Sequence, residues 1–328
     1  MTGTKKVAVA DVLTEELARR WRDDLGSLPI DLRLIQEDTA SAFREALEGA
    51  DILITKARPV DNDLLEIVGD QLKLIAKLSH WPTEIDRTAC EEKGIQIELL
   101  PQLGCIAVAE HAMALILACA RMLIPSHQGV ITGAYRELGL TPAVTTERTF
   151  AFKWLSVDPF EVYGKTLGII GLGEIGKEVA VRARSFGMKI LYNKRTRLPQ
   201  ELEKALGVEF CNLNELLKSS DFVSLHIPHT QETDKLLGRS ELQAMKPTAY
   251  LINTARGGLI DEEALVCTLR DGEIAGAGLD VFVEEPLPYD NPLLQLGNVV
   301  LTPHIGGGSG AGRAVLAKEL GSLISRIL

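Results

Sequence analysis

From Thr166 to Ala180 the chain reads T-L-G-I-I-G-L-G-E-I-G-K-E-V-A, which places Gly171, Gly173 and Gly176 in G-x-G-x-x-G. The glycines follow an apolar strand directly and open an amphipathic helix. In that setting each has its own task. Gly171 permits the tight turn, Gly173 lets the backbone approach a pyrophosphate, and Gly176 lets the helix pack on the strand, while the helix N-terminus offers amides and a positive dipole. A strand, turn and helix of this kind belong to a parallel sheet covered by helices. The rest of the chain repeats the alternation of short β-branched runs with helical segments, so the fold class is α/β. At about 100 to 200 residues per domain, 328 residues allow about two domains, and 46% hydrophobic content can give each a core.

The first hundred residues predict strands at Val7–Ala10, Ile30–Ile35, Asp51–Thr55, Leu72–Lys77 and Ile95–Leu99, with helices such as Thr14–Trp21 and Ala40–Glu48 between them. A long helix from Cys105 to Leu123 follows, with Pro125 as its stop. The stretch Gly133–Tyr163 is irregular and rich in threonine and aromatics, including Phe150, Phe152, Trp154 and Phe160; a loop this long is a functional or interface element. From Lys165 a second alternation predicts strands at Thr166–Ile170, Lys189–Tyr192, Phe222–Ile227, Ala249–Thr254, Gly276–Val281 and Val299–Thr302. The glycines Gly306 to Gly310 form a natural hinge before a last helix, Ala311–Leu328, expected to cross back to the first domain.

Charge and cysteine content narrow the partners. Lys and Arg number 35 against 45 Asp and Glu, a net charge of −10, which gives no general attraction to nucleic acid or an anionic membrane. Five widely spaced cysteines, with no C-x-x-C pair, argue against a disulfide framework or structural zinc and for a reducing, cytoplasmic compartment. The N-terminus is too short in apolar residues for a signal peptide. The apolar stretch Ala107–Pro125 contains Glu110, His111 and Arg121, so it reads as a buried helix and no membrane span is expected.

The end of the second strand after the glycines bears on which dinucleotide is bound. An acid about twenty residues past the fingerprint binds the ribose hydroxyls of NAD, whereas arginine there accommodates a 2′-phosphate. Here the strand runs into Lys194, Arg195, Thr196 and Arg197 with no acid, so NADP(H) is favoured, with NAD(H) the alternative.

Three later segments each follow an apolar strand: I-N-T-A-R-G-G-L-I-D, A-G-L-D-V-F-V-E-E-P-L-P and L-T-P-H-I-G-G-G. Ligands of open parallel sheets sit outside the carboxyl ends of strands, so Arg256, Glu285 and His304 can converge there. A guanidinium orients and polarises an α-keto acid, a histidine protonates the developing alkoxide, and a carboxylate beside a histidine stabilises its protonated form.

In these segments the chain closely resembles the D-isomer-specific 2-hydroxyacid dehydrogenase family, with glyoxylate and hydroxypyruvate reductases as nearest relatives. The resemblance spans nearly the whole chain. It implies a Rossmann cofactor domain, residues 105–307, inserted in a flavodoxin-like substrate domain, residues 1–104 and 308–328. Arg256 would bind the substrate, Glu285, the acid next to Pro286, would partner the histidine, and His304 would be the acid/base. Thr254, Asp280, Pro228 and Gly306 would line the nicotinamide and ribose, and Glu174 and Ile175 the pyrophosphate turn. The implied substrate is a small 2-keto or 2-hydroxy acid, and the implied assembly a homodimer through the cofactor domain. Where the family has a glycine-rich loop resembling G-V-G-V-D-N-I-D, this chain has L-S-H-W-P-T-E-I-D (Leu78–Asp86), so Ser79, His80 and Trp81 would shape a different substrate pocket. Arg58, like Lys56 at the end of a first-domain strand, can face the same cleft, and Trp154 is expected to cap an active site.

The remaining histidines suggest no further site. His111 reads as a satisfied core residue, and His226 and His229 offer too few ligands for zinc, so no metal is expected. Two other readings fit the resemblance: a dinucleotide-sensing, corepressor-like binding protein, and a formate or phosphite dehydrogenase. The first lacks an added basic or Pro-rich tail here, and Glu285 stands where formate enzymes carry Gln.

Overall fold

The computed structural model describes residues 4–81, 84–146, 155–307 and 311–327. The chain forms two compact units, one of residues 1–104 with 308–328 and one of residues 105–307.

The first unit holds five parallel strands: β1 (Lys5–Val12), β2 (Ile30–Ile35), β3 (Ile52–Thr55), β4 (Leu74–Lys77) and β5 (Gln96–Leu99), in the order β2-β1-β3-β4-β5. This is the flavodoxin-like winding. Alternation along the strands fills two cores. Ala8, Ala10, Leu53 and Ile75 face Phe43, Leu47, Leu64 and Val68, whereas Val7, Val9, Ile52, Ile54 and Leu74 face Leu25, Leu320, Leu323 and Ile324. The latter three come from the helix Ala311–Ile327. Side-chain caps start the helices between strands, as Thr14 does for Glu15–Leu25, Asp61 for Asn62–Val68 and Asp86 for Arg87–Glu92.

The second unit has seven parallel strands, β6 (Thr166–Ile170), β7 (Lys189–Asn193), β8 (Val208–Phe210), β9 (Phe222–Leu225), β10 (Tyr250–Asn253), β11 (Gly276–Leu279) and β12 (Val299–Leu301). Their order is β12-β11-β10-β9-β6-β7-β8, a Rossmann winding with one strand added at the β12 edge. The three-residue β8 has no counterpart among the strands expected from sequence.

The helix expected to run from Cys105 to Leu123 spans Leu103–Ala120 instead. Pro125 does not stop it. The chain turns at Met122, whose φ is 51°, and Pro125 sits in the first turn of the next helix, Leu123–Thr132, where its missing N–H is not needed. By length and composition Leu103–Ala120 is the one helix among the described residues able to cross a membrane; here it lies on β11. A Cβ on Gly278 would stand 3.0 Å from Leu115 Cβ and 3.5 Å from Cys119 Sγ, so the glycine lets helix and strand approach closely.

In the irregular stretch, Ala134–Leu138 forms a 3-10 turn. Phe160 is an anchor: its amide donates to Ala120 O at 2.9 Å, and its ring lies 6.1 Å from that of Phe222 and 5.8 Å from that of Tyr250. Phe150, Phe152 and Trp154 lie outside the described residues, as do Gly308 to Gly310 of the glycine cluster.

Candidate active site

The glycine turn joins β6 to the helix Glu174–Ser185. Gly171 has φ +96°, and a side chain there would collide with Ile227 and the His226 carbonyl. A side chain on Gly176 would strike the carbonyl of Gly171, whereas Gly173 has open space around its Cα. Gly173 is the helix N-cap and supplies no side-chain acceptor, so the first-turn amides keep their capacity for an anion. Glu174 and Ile175 are half-buried in that turn, and Glu174 pairs with Lys177 at 3.2 Å.

Past β7 the four residues of the basic turn separate into two groups. Arg197 is held in a bidentate pair by the buried Glu203, at 2.9 and 2.8 Å. Glu203 also accepts from the fully buried Tyr192 hydroxyl at 2.7 Å, and that hydroxyl in turn accepts from the Leu198 amide. Arg197 therefore shapes the turn. Lys194, Arg195 and Thr196 remain at its mouth, with Arg195 only loosely near Glu232 at 3.8 Å.

The loops after β10, β11 and β12 bring the remaining groups together. His304 Nδ1 meets Glu285 Oε2 at 2.6 Å, while Glu285 Oε1 accepts the Phe282 amide at 3.0 Å. Of the two adjacent acids, it is thus Glu285 that pairs. Burial opposes its ionisation, but the hydrogen bonds from His304 and Phe282 and the charges of His304 and Arg256 outweigh burial and hold the carboxyl below its ordinary value. With Nδ1 taken by Glu285, Nε2 is the nitrogen left for a reacting group. Arg256, Glu285 and His304 line one cleft of about 760 Å³. Gly257 packs so tightly on the Phe282 carbonyl that no side chain fits, and Gly258 likewise lies against His229. The glycines after Arg256 therefore set the loop's close approach, leaving the guanidinium exposed.

His304 has φ +54°, a left-handed conformation that a non-glycine residue keeps only when its surroundings enforce it. Asp280 does so from the position just after β11. Its carbonyl accepts the His304 amide at 2.9 Å, and its carboxylate accepts the amides of Ile305 at 3.0 Å and Gly306 at 2.8 Å and the Thr302 hydroxyl at 2.6 Å. The same carboxylate lies 3.1 Å from His111 Nε2, which is 2.8 Å from Thr302 Oγ1. His111 is thus satisfied, but by the site and not by the apolar core. Its sequence signal is the helical row His111, Leu115, Cys119, whose last two members face Gly278.

Thr254 Oγ1, at the end of β10, is buried and makes no hydrogen bond, an arrangement that costs stability unless a ligand supplies a partner. Pro228 is exposed beyond β9, its carbonyl accepting from Thr233. His226 bonds Ser224 at 2.8 Å, and desolvation pushes its imidazole toward the neutral form. His229 bonds Asp234 at 2.8 Å. The described residues contain no cluster of metal ligands.

In the first unit the expected substrate residues have varied surroundings. Ser79 is buried and accepts the Trp81 amide at 2.8 Å; the Trp81 indole N–H is itself buried with no partner. His80 is exposed, and Arg58 stacks 3.7 Å over the Phe43 ring.

Open glycine turn, Rossmann winding, unpartnered Thr254 hydroxyl and acid-histidine pair fit a nicotinamide dinucleotide and define an oxidoreductase of that class. The chain belongs to the D-isomer specific 2-hydroxyacid dehydrogenases: residues 113–306 match the family's NAD binding domain. A glyoxylate reductase of Thermococcus onnurineus is 42% identical over 289 residues, covering 87% of this chain and 83% of the relative. A D-3-phosphoglycerate dehydrogenase of Methanocaldococcus jannaschii is 37% identical over 98% of this chain and 56% of its own. Among solved structures, an NADPH-dependent glyoxylate/hydroxypyruvate reductase from Sinorhizobium meliloti, in complex with citrate, superposes with a TM-score of 0.56 at 26% identity, covering 96% of this chain and 91% of that one.

Proposed function

We propose that this dehydrogenase is a cytoplasmic, NADP(H)-preferring reductase of small 2-keto acids, of the glyoxylate or hydroxypyruvate type. The observation that carries the reading is the 2.6 Å Glu285–His304 pair on one cleft with Arg256. Bound at the glycine turn, the dinucleotide supplies or accepts the hydride. His304 delivers the proton from Nε2 to the forming alkoxide, Glu285 fixes the imidazole through Nδ1, and Arg256 neutralises the substrate carboxylate. Gly171, Gly173, Gly176, Glu174 and Ile175 surround the pyrophosphate, Lys194, Arg195 and Thr196 meet the 2′-phosphate, and Thr254, Pro228 and Gly306 border the nicotinamide ribose.

In this reading residues 105–307 carry the cofactor, while residues 1–104 with 308–328 contribute Arg58, Ser79, His80 and Trp81 to the keto acid. Two copies join through the cofactor unit. The preference for NADP(H) rests on the absence of an acid after β7, and the NADPH dependence of the Sinorhizobium relative is consistent with it. Steady-state reduction of glyoxylate, hydroxypyruvate, pyruvate and 2-ketobutyrate with NADPH and with NADH tests the whole reading. Turnover of glyoxylate or hydroxypyruvate with a higher kcat/KM for NADPH is expected. Tight NADPH binding without turnover of any keto acid would instead favour a sensor.

A further inference from the structure

We infer that His111 is a positioning residue that aims His304 through Asp280 and Thr302; the inference rests on His304 being the proton donor. Asp280 is 1% exposed, and a carboxylate so deeply buried needs full hydrogen bonding and a compensating partner. Two of its donors, the amides of Ile305 and Gly306, belong to the loop that carries His304. The other two are Thr302 Oγ1 and His111 Nε2, and His111 is the one group able to carry positive charge that pairs with Asp280 among the described residues.

Each atom in this network has one role. The Thr302 hydroxyl spends its proton on Asp280 Oδ1, so the contact between His111 Nε2 and Thr302 Oγ1 is donated by the imidazole. The Nε2–H therefore bridges threonine and carboxylate, locking Oδ1 while Oδ2 holds Gly306. The loop packs closely on this pair: a Cβ on Gly306 would lie 2.9 Å from Asp280 Oδ2 and 3.4 Å from His111 Cδ2. The imidazole itself is held by the helix Leu103–Ala120, which Gly278 lets settle on β11 so that residue 111 reaches the carboxyl end of that strand. Without the bridge, Asp280 and Thr302 are free to repack, and the left-handed His304 loses what enforces its backbone. Glu285 could still reach Nδ1, but no longer in one fixed geometry, so the shared proton would exchange among several arrangements and Nε2 would lose its aim.

The test compares donor with no donor at one position. His111→Leu fills the space without a donor, and His111→Gln keeps an N–H at similar reach. Misaim of a catalytic group by a change outside the reacting atoms costs up to about a hundredfold, so His111→Leu is expected to lower kcat about tenfold to a hundredfold, with the keto-acid KM and the NADPH Kd within about threefold of wild type. The Gln variant should recover most of the rate, and the solvent isotope effect on kcat should rise only in the Leu variant as proton delivery becomes slow. Equal rates for the two variants, or a Leu variant within twofold of wild type, would overturn the proposal. A readout independent of turnover is the downfield NMR resonance of the proton His304 shares with Glu285, expected in wild type and His111→Gln and broadened in His111→Leu; an unchanged resonance in the Leu variant also overturns it. His304→Ala separates the two readings. If it stays active, the assignment of His304 fails; if it is inactive while His111→Leu stays within twofold of wild type, only the role of His111 fails.

Discussion

The two sheets are fastened alike at their amino ends and differently at their carboxyl ends. Asp51, just before β3, accepts the Lys6 amide at 2.9 Å and the Lys5 ammonium at 2.8 Å, tying β3 to the start of β1. Asp221, just before β9, does the same for β6, accepting the Thr166 amide at 2.8 Å and the Lys246 ammonium at 2.8 Å. At the opposite end, each sheet has a crevice between its first strand and the strand beyond the reversal of winding, the place where such folds bind ligands. In the first unit an acid of the sheet itself reaches across that place. Asp11, on β1, accepts the amides of Lys56, Ala57 and Arg58 at 2.5, 2.8 and 3.1 Å, just past β3. In the second unit the corresponding turn has glycines in place of an acid and leaves its amides for an anion from outside. One carboxylate thus distinguishes a crevice that ties its own loop from one that offers amides to an anion.

The largest effect falls on chemistry at the open end. His304→Ala is expected to cut kcat by about 10² to 10⁴ while NADPH binding, measured by fluorescence titration, stays within twofold; a retained rate removes His304 from the mechanism. Next come paired changes at the two crevices. Gly171→Ala forces a side chain into Ile227 and the His226 carbonyl at positive φ and should abolish measurable NADPH binding. Asp11→Ala should take a charged acceptor from three amides, two of them open to water, and cost about 1 kcal/mol of stability by denaturant unfolding, without changing NADPH affinity. If Asp11→Ala weakened NADPH as much as Gly171→Ala does, the contrast between the crevices would be wrong.

A smaller shift is expected at the basic turn. Lys194→Asp should move the NADPH/NADH ratio of kcat/KM about tenfold to a hundredfold toward NADH, the scale of a hydrogen bond to a charged group, and an unchanged ratio would contradict a phosphate site there. The smallest concerns the shared device. Burial raises the carboxyls of Asp51 and Asp221, but their lysine and amide partners outweigh it and hold both below the ordinary aspartate value. Since each is depressed relative to the unfolded chain, the stability it confers is complete above the ordinary range and is lost as pH falls through the folded value. Melting temperature should therefore be flat near neutrality and drop below about pH 4, with a shallower acid limb in Asp51→Asn and Asp221→Asn.

What could be read from sequence follows from what each signal depends on. Strands such as Ile52–Thr55 and Thr166–Ile170 stand out because both faces are covered, making them continuous apolar runs, and the glycine fingerprint names its own neighbours. The turn at Met122 was hidden because the apolar pattern carries on past it, and β8 because three residues show no period. Arg197 looked like part of one basic cluster because its partner Glu203 is reached only once the turn folds back over Tyr192. The stacking of Arg58 on Phe43 is likewise a contact between distant segments, which no local pattern announces. His111 was the hardest to read: an apolar helix has no polar face to mark a site, and only the register against Gly278 distinguishes this histidine from a core residue.

The division of the chain also sets an order of synthesis. Residues 105–307 are contiguous, so the second unit can acquire its whole sheet as it leaves the ribosome. The first unit cannot, because Leu320, Leu323 and Ile324 complete the core beneath β1 and β3 and are translated more than 260 residues after those strands. Until then one face of an already translated five-strand sheet lacks part of its cover, so the nascent chain carries an exposed apolar surface through most of its elongation, and chaperone demand should fall on the segment made first.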